Sequence, residues 1–210
     1  SASKIDRTAM EHLQPTSFSD LLALLPGGKT SDPKMNGAKN ITLREVGTSS
    51  SNYNTSSLGT KFIIDGAPIS TDANMQRLLT DPNTTFDAYN AVNAGVDMRN
   101  ISTDNIESVE IIRGIPSVEY NDLTSGVVII KQKQKATPVE ARIKADQYGK
   151  LFSIGKGVEW KDQRTVLSAD AGFLDSYNDP RDRLNNFKRI NASVRLNKKW
   201  LLGNEHRLNW

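Results

Sequence analysis

Asp104-Asn105-Ile106-Glu107-Ser108-Val109-Glu110-Ile111-Ile112-Arg113-Gly114-Ile115-Pro116-Ser117-Val118-Glu119-Tyr120, followed after five residues by Gly126-Val127-Val128-Ile129-Ile130, is the stretch on which the fold turns. Val109-Glu110-Ile111-Ile112-Arg113, with three β-branched residues, reads as a strand. Gly114-Ile115-Pro116 turns the chain, and Val118 to Leu123 has the pattern of a short helical turn. Gly126 then opens Val127-Val128-Ile129-Ile130, which is apolar at every position. A strand without alternation needs burial on both faces, so it belongs inside a sheet. Lys131-Gln132-Lys133-Gln134-Lys135 closes the segment.

Upstream, Lys61 to Ile64 is another strand. Asp65-Gly66 predicts a type I′ turn, and Ala67-Pro68-Ile69 resumes an edge strand, where proline is tolerated. The spacing of Ile5, Ala9 and Leu13 predicts a first helix stopped by Pro15. Ser17 is placed to cap a second helix carrying Phe18, Leu21, Leu22, Leu24 and Leu25, with Pro26-Gly27-Gly28 as its stop. Asp20 favours the positive end of that helix. A short strand is expected at 40–46 and a short helix around Met75–Leu79. The polar stretches 47–59 and 81–97 read as loops, and outward-facing loop tips are where ligand contacts would come from. Short strands, short helices and long loops make residues 1–137 an α+β unit with a small mixed sheet.

Beyond Pro138 the pattern changes. Val139, Ala141, Ile143 and Ala145 alternate with charged residues. Phe152, Ile154, Val158 and Trp160 share a parity that only Lys156 breaks. Leu167, Ala169, Ala171 and Phe173 form a third run, and Ile190, Ala192, Val194 and Leu196 a fourth. His206, Leu208 and Trp210 begin a fifth. Antiparallel strands are expected at about 139–147, 151–160, 165–173, 187–197 and 205–210. Alternation of this length suits transmembrane β-strands, with one face to lipid and one to a polar lumen. A soluble antiparallel sheet with one wet face has the same period. Two details favour the barrel. Trp160 and Trp200 lie near the second and fourth connections, as interface aromatics do. The connections also differ in length, tight at 161–164 and long over 174–186.

Composition narrows the function. The 210 residues carry a net charge of +3, which makes no case for nucleic acid. Residues 1–137 hold 13 Lys and Arg against 15 Asp and Glu, while residues 138–210 hold 14 against 9, so the charge breaks where the pattern does. There is no cysteine, which removes disulfides, thiol nucleophiles and cysteine metal sites. No run of about 18 apolar residues exists, and no leader is visible. His12 and His206 stand apart from any ligand cluster, so no metal site is expected. Ser125-Gly126 lacks the five-residue nucleophile-elbow pattern, and no phosphate-binding glycine loop occurs. No catalytic constellation and no cofactor site emerges, so an enzyme is not expected.

Residues 104–120 with 126–130 resemble the end of the plug domain of TonB-dependent outer-membrane receptors. Phe62-Ile63-Ile64-Asp65-Gly66-Ala67-Pro68 is similar to that family's strand–turn–strand, and Phe18 to Gly27 to its helix ending in Pro-Gly. The three motifs, in order, cover roughly residues 4–135. Tyr120 is followed by Asn121 where the family has glycine. Leu43-Arg44-Glu45 lacks the family's glycine after the arginine, and Lys131-Gln132 replaces its Thr-Lys ending. No TonB box is visible before residue 4. The wording is closer to Bacteroidota-type receptors than to enterobacterial siderophore receptors.

The resemblance implies a plug domain over 1–137 and the first strands of an incomplete outer-membrane β-barrel over 138–210. It implies TonB-dependent active transport of a nutrient across the bacterial outer membrane, with the plug inside the lumen facing the periplasm. Partners would be the TonB-ExbB-ExbD complex, outer-membrane lipid and the rest of the barrel. A surface lipoprotein and a small ligand (glycan, peptide, siderophore or cobalamin-like) complete that set. Arg44 and Arg113 match arginines that face the barrel wall and pair with carboxylates on strands beyond this chain. Asp65, Gly66, Gly114, Pro116, Tyr120 and Gly126 are the motif turns. The alternative is a non-transporting ligand-binding or signalling module that reuses the plug fold.

Overall fold

The computed structural model describes residues 2–26, 35, 39–41, 60–70, 95–114, 126–160, 165–177, 179, 181, 186–202 and 206–209, with side chains described as far as Lys199. The chain divides into two compact units, Ser1–Gln132 and Lys133–Trp210.

The first unit is built on a mixed five-stranded sheet. Its strands are β1 (Ala2–Asp6), β2 (Thr60–Ile64), β3 (Ala67–Pro68), β4 (Ile106–Arg113) and β5 (Gly126–Gln132), in the order β1-β4-β5-β2-β3. β5 is central. It runs parallel to β2 and antiparallel to β4. Val127, Val128 and Ile130 are fully buried, so the all-apolar run finds cover on both sides. β4 starts at Ile106 rather than Val109, because Ile106 pairs with Gln132 across an irregularity in register. β2 and β3 are joined by Asp65 and Gly66 at φ 49° and 88°, both in the left-handed region that a type I′ hairpin requires. The Asp65 carboxylate accepts the Gln132 amide at 2.9 Å and so ties the hairpin to the end of β5.

One expectation at the N-terminus is corrected. Ile5 belongs to β1, not to the first helix, and pairs with Val109. The helix α1 spans Arg7–Leu13 behind an Asp6 cap. Pairing with β4 satisfies the backbone of residues 2–6, and helical spacing from Ile5 cannot compete with that ladder. The Arg7 guanidinium donates to the carbonyls of Thr103, Asp104 and Ile106, which fixes α1 over the turn into β4. The second expected helix is present at Phe18–Leu24 behind its Ser17 cap, as a 3-10 helix. Its capping box is complete: the Ser17 hydroxyl accepts the Ser19 amide, and the Asp20 carboxylate accepts the Thr16 and Ser17 amides.

The core gathers Met10, Phe18, Leu21, Ile41, Phe62, Met98, Ile106, Val109, Ile111, Val128 and Ile130. Phe18 and Phe62 meet edge to face, with ring centres 5.7 Å apart. Each such side chain contributes about 1.5–3 kcal/mol by leaving water.

The second unit is one antiparallel sheet in sequential order: β6 (Glu140–Asp146), β7 (Gly149–Glu159), β8 (Thr165–Tyr177), β9 (Asn186–Leu202) and β10 (His206–Asn209). The expected loop over 174–186 is shorter at both ends. Leu174, Asp175 and Ser176 stay in register with both neighbouring strands, because their backbone is satisfied by both ladders and Leu174 and Ser176 are buried. Ahead of β6, Thr137 exchanges two backbone hydrogen bonds with Gly157, at 3.1 and 3.2 Å. A Cβ on Gly157 would stand 2.8 Å from the Lys135 carbonyl oxygen and the Thr137 nitrogen, so only glycine lets the chain lie this close.

The expected strand over 42–46, the helix at Met75–Leu79, the turn at 118–123 and most of the two polar loops lie outside the described residues. Asn40 and Ile41 are described and are not in a strand.

Candidate functional site

The site has two parts, one in each unit. In the first, Arg113 ends β4, where it pairs with Gly126 at the start of β5. Its Nη1 donates to the Pro26 carbonyl at 3.3 Å, and the residue is half-buried. Gly114 follows at φ 97° and redirects the chain beyond the strand end. Asp65 and Gly66 make the hairpin, and Gly126 is buried in extended backbone. Arg44, Pro116 and Tyr120 lie outside the described residues. Three of the motif positions therefore come together along β5: Asp65 at its end, Arg113 and Gly126 at its beginning.

An element not singled out in the sequence joins the same unit. Asp97 and Arg99 form a buried bidentate pair, with 2.6 Å between Arg99 Nη2 and Asp97 Oδ2. Asp97 also accepts the Lys39 amide, and Arg99 donates to the Met35 carbonyl at 2.8 Å. The pair thus ties Met35 and Lys39 to Asp97 and Arg99 across some sixty residues of sequence. Its only trace in the sequence is a carboxylate two residues before an arginine.

In the second unit the register resolves the alternating runs into rows. Ile143, Phe152, Phe173 and Ile190 stand opposite one another, then Ala141, Ile154, Ala171 and Ala192. Lys156, Ala169 and Val194 follow, then Val158, Leu167 and Leu196. This face is open. Ile143 is 78% exposed, Ile190 82% and Val194 74%. Charged residues bound the belt, with Lys150, Asp175 and Lys188 in the row above it and Lys198 in the row below. Trp160 closes the β7–β8 hairpin through its amide to the Thr165 carbonyl and is 59% exposed at the lower rim. The backbone of Trp200 lies at that same end of β9; its side chain is outside the described residues.

The other face is covered and mostly polar. Ser153, Ser168, Ser176 and Arg189 are buried there beside Leu151 and Leu174. Asp170 accepts from Arg195 at 2.6 Å and from Ser193, three side chains brought together by the β8–β9 register. A sheet with most of its large apolar side chains outward and the Asp170–Arg195 ion pair inward is inside out relative to a water-soluble sheet. Lipid outside and a polar lumen inside account for both faces.

Beyond β8, Asp179 and Arg181 form an exposed pair. Hydrogen bonds from the Arg181 guanidinium first, then from its backbone amide, hold the Asp179 carboxyl below its usual range. The same pair raises Arg181. Among the described residues no cluster of three His, Asp or Glu could hold a metal ion. No helix among them is long and apolar enough to cross a membrane.

Comparison with known proteins agrees with this geometry. The model of the TonB-dependent Receptor Plug Domain family matches residues 1–128. No curated protein matches. Among solved structures, the siderophore receptor PirA from Acinetobacter baumannii superposes with a TM-score of 0.60 at 17% identity, over 97% of this chain and 29% of that one. The ferric-catecholate import receptor Fiu from E. coli K12 gives 0.55 at 16%, over 100% and 26%. The ferric yersiniabactin uptake receptor FyuA from Yersinia pestis gives 0.52 at 18%, over 83% and 24%. The chain thus spans 24–29% of the length of these receptors, and the likeness is one of fold. With a plug-type mixed sheet in one unit and an outward apolar belt in the next, the chain belongs to the TonB-dependent receptor plug-domain family and its place is the bacterial outer membrane.

Proposed function

We propose that this chain is the gating plug of a TonB-dependent active transporter together with the first strands of its barrel. The observation that carries the reading is the four-row apolar belt, in register across β6 to β9 and open to the outside, in the same chain as the plug sheet. A plug that served only as a free binding or signalling module would have no use for a lipid-facing wall. On this reading the TonB-ExbB-ExbD complex supplies the pull, and the plug moves to let a small ligand through. The three structural relatives are receptors for siderophores or ferric ligands, which makes ferric siderophores the first ligand class to try. Glycans, peptides and cobalamin-like ligands are the next classes, and a surface lipoprotein is the accessory to look for.

Arg113 and Arg44 are proposed to face the barrel wall and pair with carboxylates on later strands. For Arg113 the support is its place at the last backbone pair of β4, where its guanidinium reaches the Pro26 carbonyl. Guanidinium–carboxylate pairs in a wet lumen would hold a plug and still release it under load.

The test is uptake of radiolabelled ferric siderophore by cells producing the full receptor of which this chain is part. Uptake in a TonB-proficient host that disappears in a TonB-deficient one supports the proposal. Ligand bound at the surface with no TonB-dependent uptake, for every ligand class tried, overturns it in favour of a binding or signalling module.

A further inference from the structure

Lys156 is the one charged residue in the four rows of the apolar belt among the described residues. It is exposed, and among the described residues it makes no hydrogen bond or ion pair. Its surroundings are apolar: Ile154 and Val158 two residues away on its own strand, and Ala169 with Val194 beyond it in its row. The register places the small side chains of Ala169, Ala171 and Ala192 beside it, and by side-chain size they make a shallow depression between the bulkier residues Phe152 and Phe173 above and Val158 and Leu167 below. A bare ammonium at this depth is unfavourable in hydrocarbon and becomes tolerable only when its charge reaches the interface.

That interface lies toward Trp160. Four residues of β-strand separate Lys156 from Trp160, about 13 Å along the strand and about 10 Å in depth once a tilt near 40° is allowed for. The flexible four-carbon stem of lysine covers much of that depth, lying along Val158 on the way. The end of the sheet it would reach is the end where the chain enters β6 and where the β7–β8 hairpin closes.

We propose that Lys156 binds the phosphate of an anionic phospholipid in the leaflet on the Trp160 side, with one acyl chain of that lipid lying over the Ala169–Ala171–Ala192 depression. This rests on the membrane reading above. Compact ammonium and phosphate form a charge-assisted pair, and the desolvated rim of a bilayer strengthens it over the same pair in water. The alanines supply room for a methylene chain close to the wall, which the bulkier rows deny.

The experiment uses the full receptor reconstituted in phosphatidylcholine vesicles. A trace of chain-spin-labelled phosphatidylglycerol or phosphatidylcholine is added, and the motionally restricted fraction of each label is read by electron paramagnetic resonance. Wild type should prefer phosphatidylglycerol about five-fold, the size expected for one lysine at a membrane surface. Lys156→Met should remove that preference, and Lys156→Arg should keep it. An unchanged preference in Lys156→Met, or none in wild type, overturns the proposal. So does an unchanged lipid preference accompanied by dissociation of an oligomer in Lys156→Met, which would assign the lysine to a carboxylate on a second copy. A receptor that fails to insert into vesicles at all overturns the membrane reading itself, and is told apart by flotation before any label is read.

Discussion

Phe62 in β2 and Phe173 in β8 are the same side chain in opposite surroundings: the first is wholly buried, the second 41% exposed. In the first unit, apolar side chains converge on a core shared by sheet, helix and 3-10 turn, as water requires. In the second, most of them lie on the exposed face, and Leu151 and Leu174 share the other face with buried Ser153, Ser168, Ser176 and Arg189. One chain therefore carries two folding rules. The difference lies in the solvent each unit was built for, because burying apolar surface is favourable only when the alternative is water.

The contrast breaks most visibly at its two extremes. Phe62→Ala removes a ring that packs edge to face on Phe18, and should cost the first unit about 3–5 kcal/mol, read by urea unfolding of the plug within the full receptor. A loss under 1 kcal/mol would mean that the core collapses around the gap. Ala192→Arg places a charge mid-belt and should destabilise the membrane-inserted receptor by about 2–4 kcal/mol. Folding titrations into lipid vesicles measure this, and an effect near zero would show that the belt meets water.

Smaller effects sharpen the comparison inside each unit's margins. Ser17→Ala removes half of the capping box and should cost about 1 kcal/mol, with Asp20→Asn weakening the other half; unchanged stability in both would make the cap ornamental. The smallest effect is at the Asp179–Arg181 pair, where the sign follows from the direction of the shift. A carboxyl held below its usual range contributes order that is complete above that range and is lost as pH falls through the folded value. Arg181, raised by the same contact, stays charged over all of that window. The Asp179 midpoint, followed by carboxyl NMR, should move up in Arg181→Ala; coincident midpoints would show that the pair does not persist in solution.

Much of this was legible along the chain because the deciding signals are local. Val127 to Ile130 is apolar at each step and so had to be central. Asp65-Gly66 prescribes its turn through φ alone. Alternation set which residues of β6 to β9 share a face. The errors came where tertiary pairing overrode local pattern. Ile5 sits at helical spacing from Ala9 yet joins β4, because the partner strand satisfies its backbone. Leu174 to Ser176 look like loop yet continue β8, because the ladders to β7 and β9 satisfy their backbone and bury Leu174 and Ser176. Asp97 and Arg99 had no pattern at all, since their other partners, Met35 and Lys39, are about sixty residues away.

Sequence alone was enough for the central strand β5, the Asp65-Gly66 hairpin, the two-part patterning and the family motifs, since each depends on residues within a few positions of one another. It could also say that one face of residues 139–196 is apolar. Only the tertiary structure decided whether that face lies inside or outside. The same alternation builds a soluble sandwich or a membrane wall, and the choice shows only when register aligns Phe152 with Phe173 and Ile190 and leaves the row uncovered. Register likewise decided that Asp170 meets Ser193 and Arg195, because cross-strand contacts depend on how strands align and not on distance along the chain.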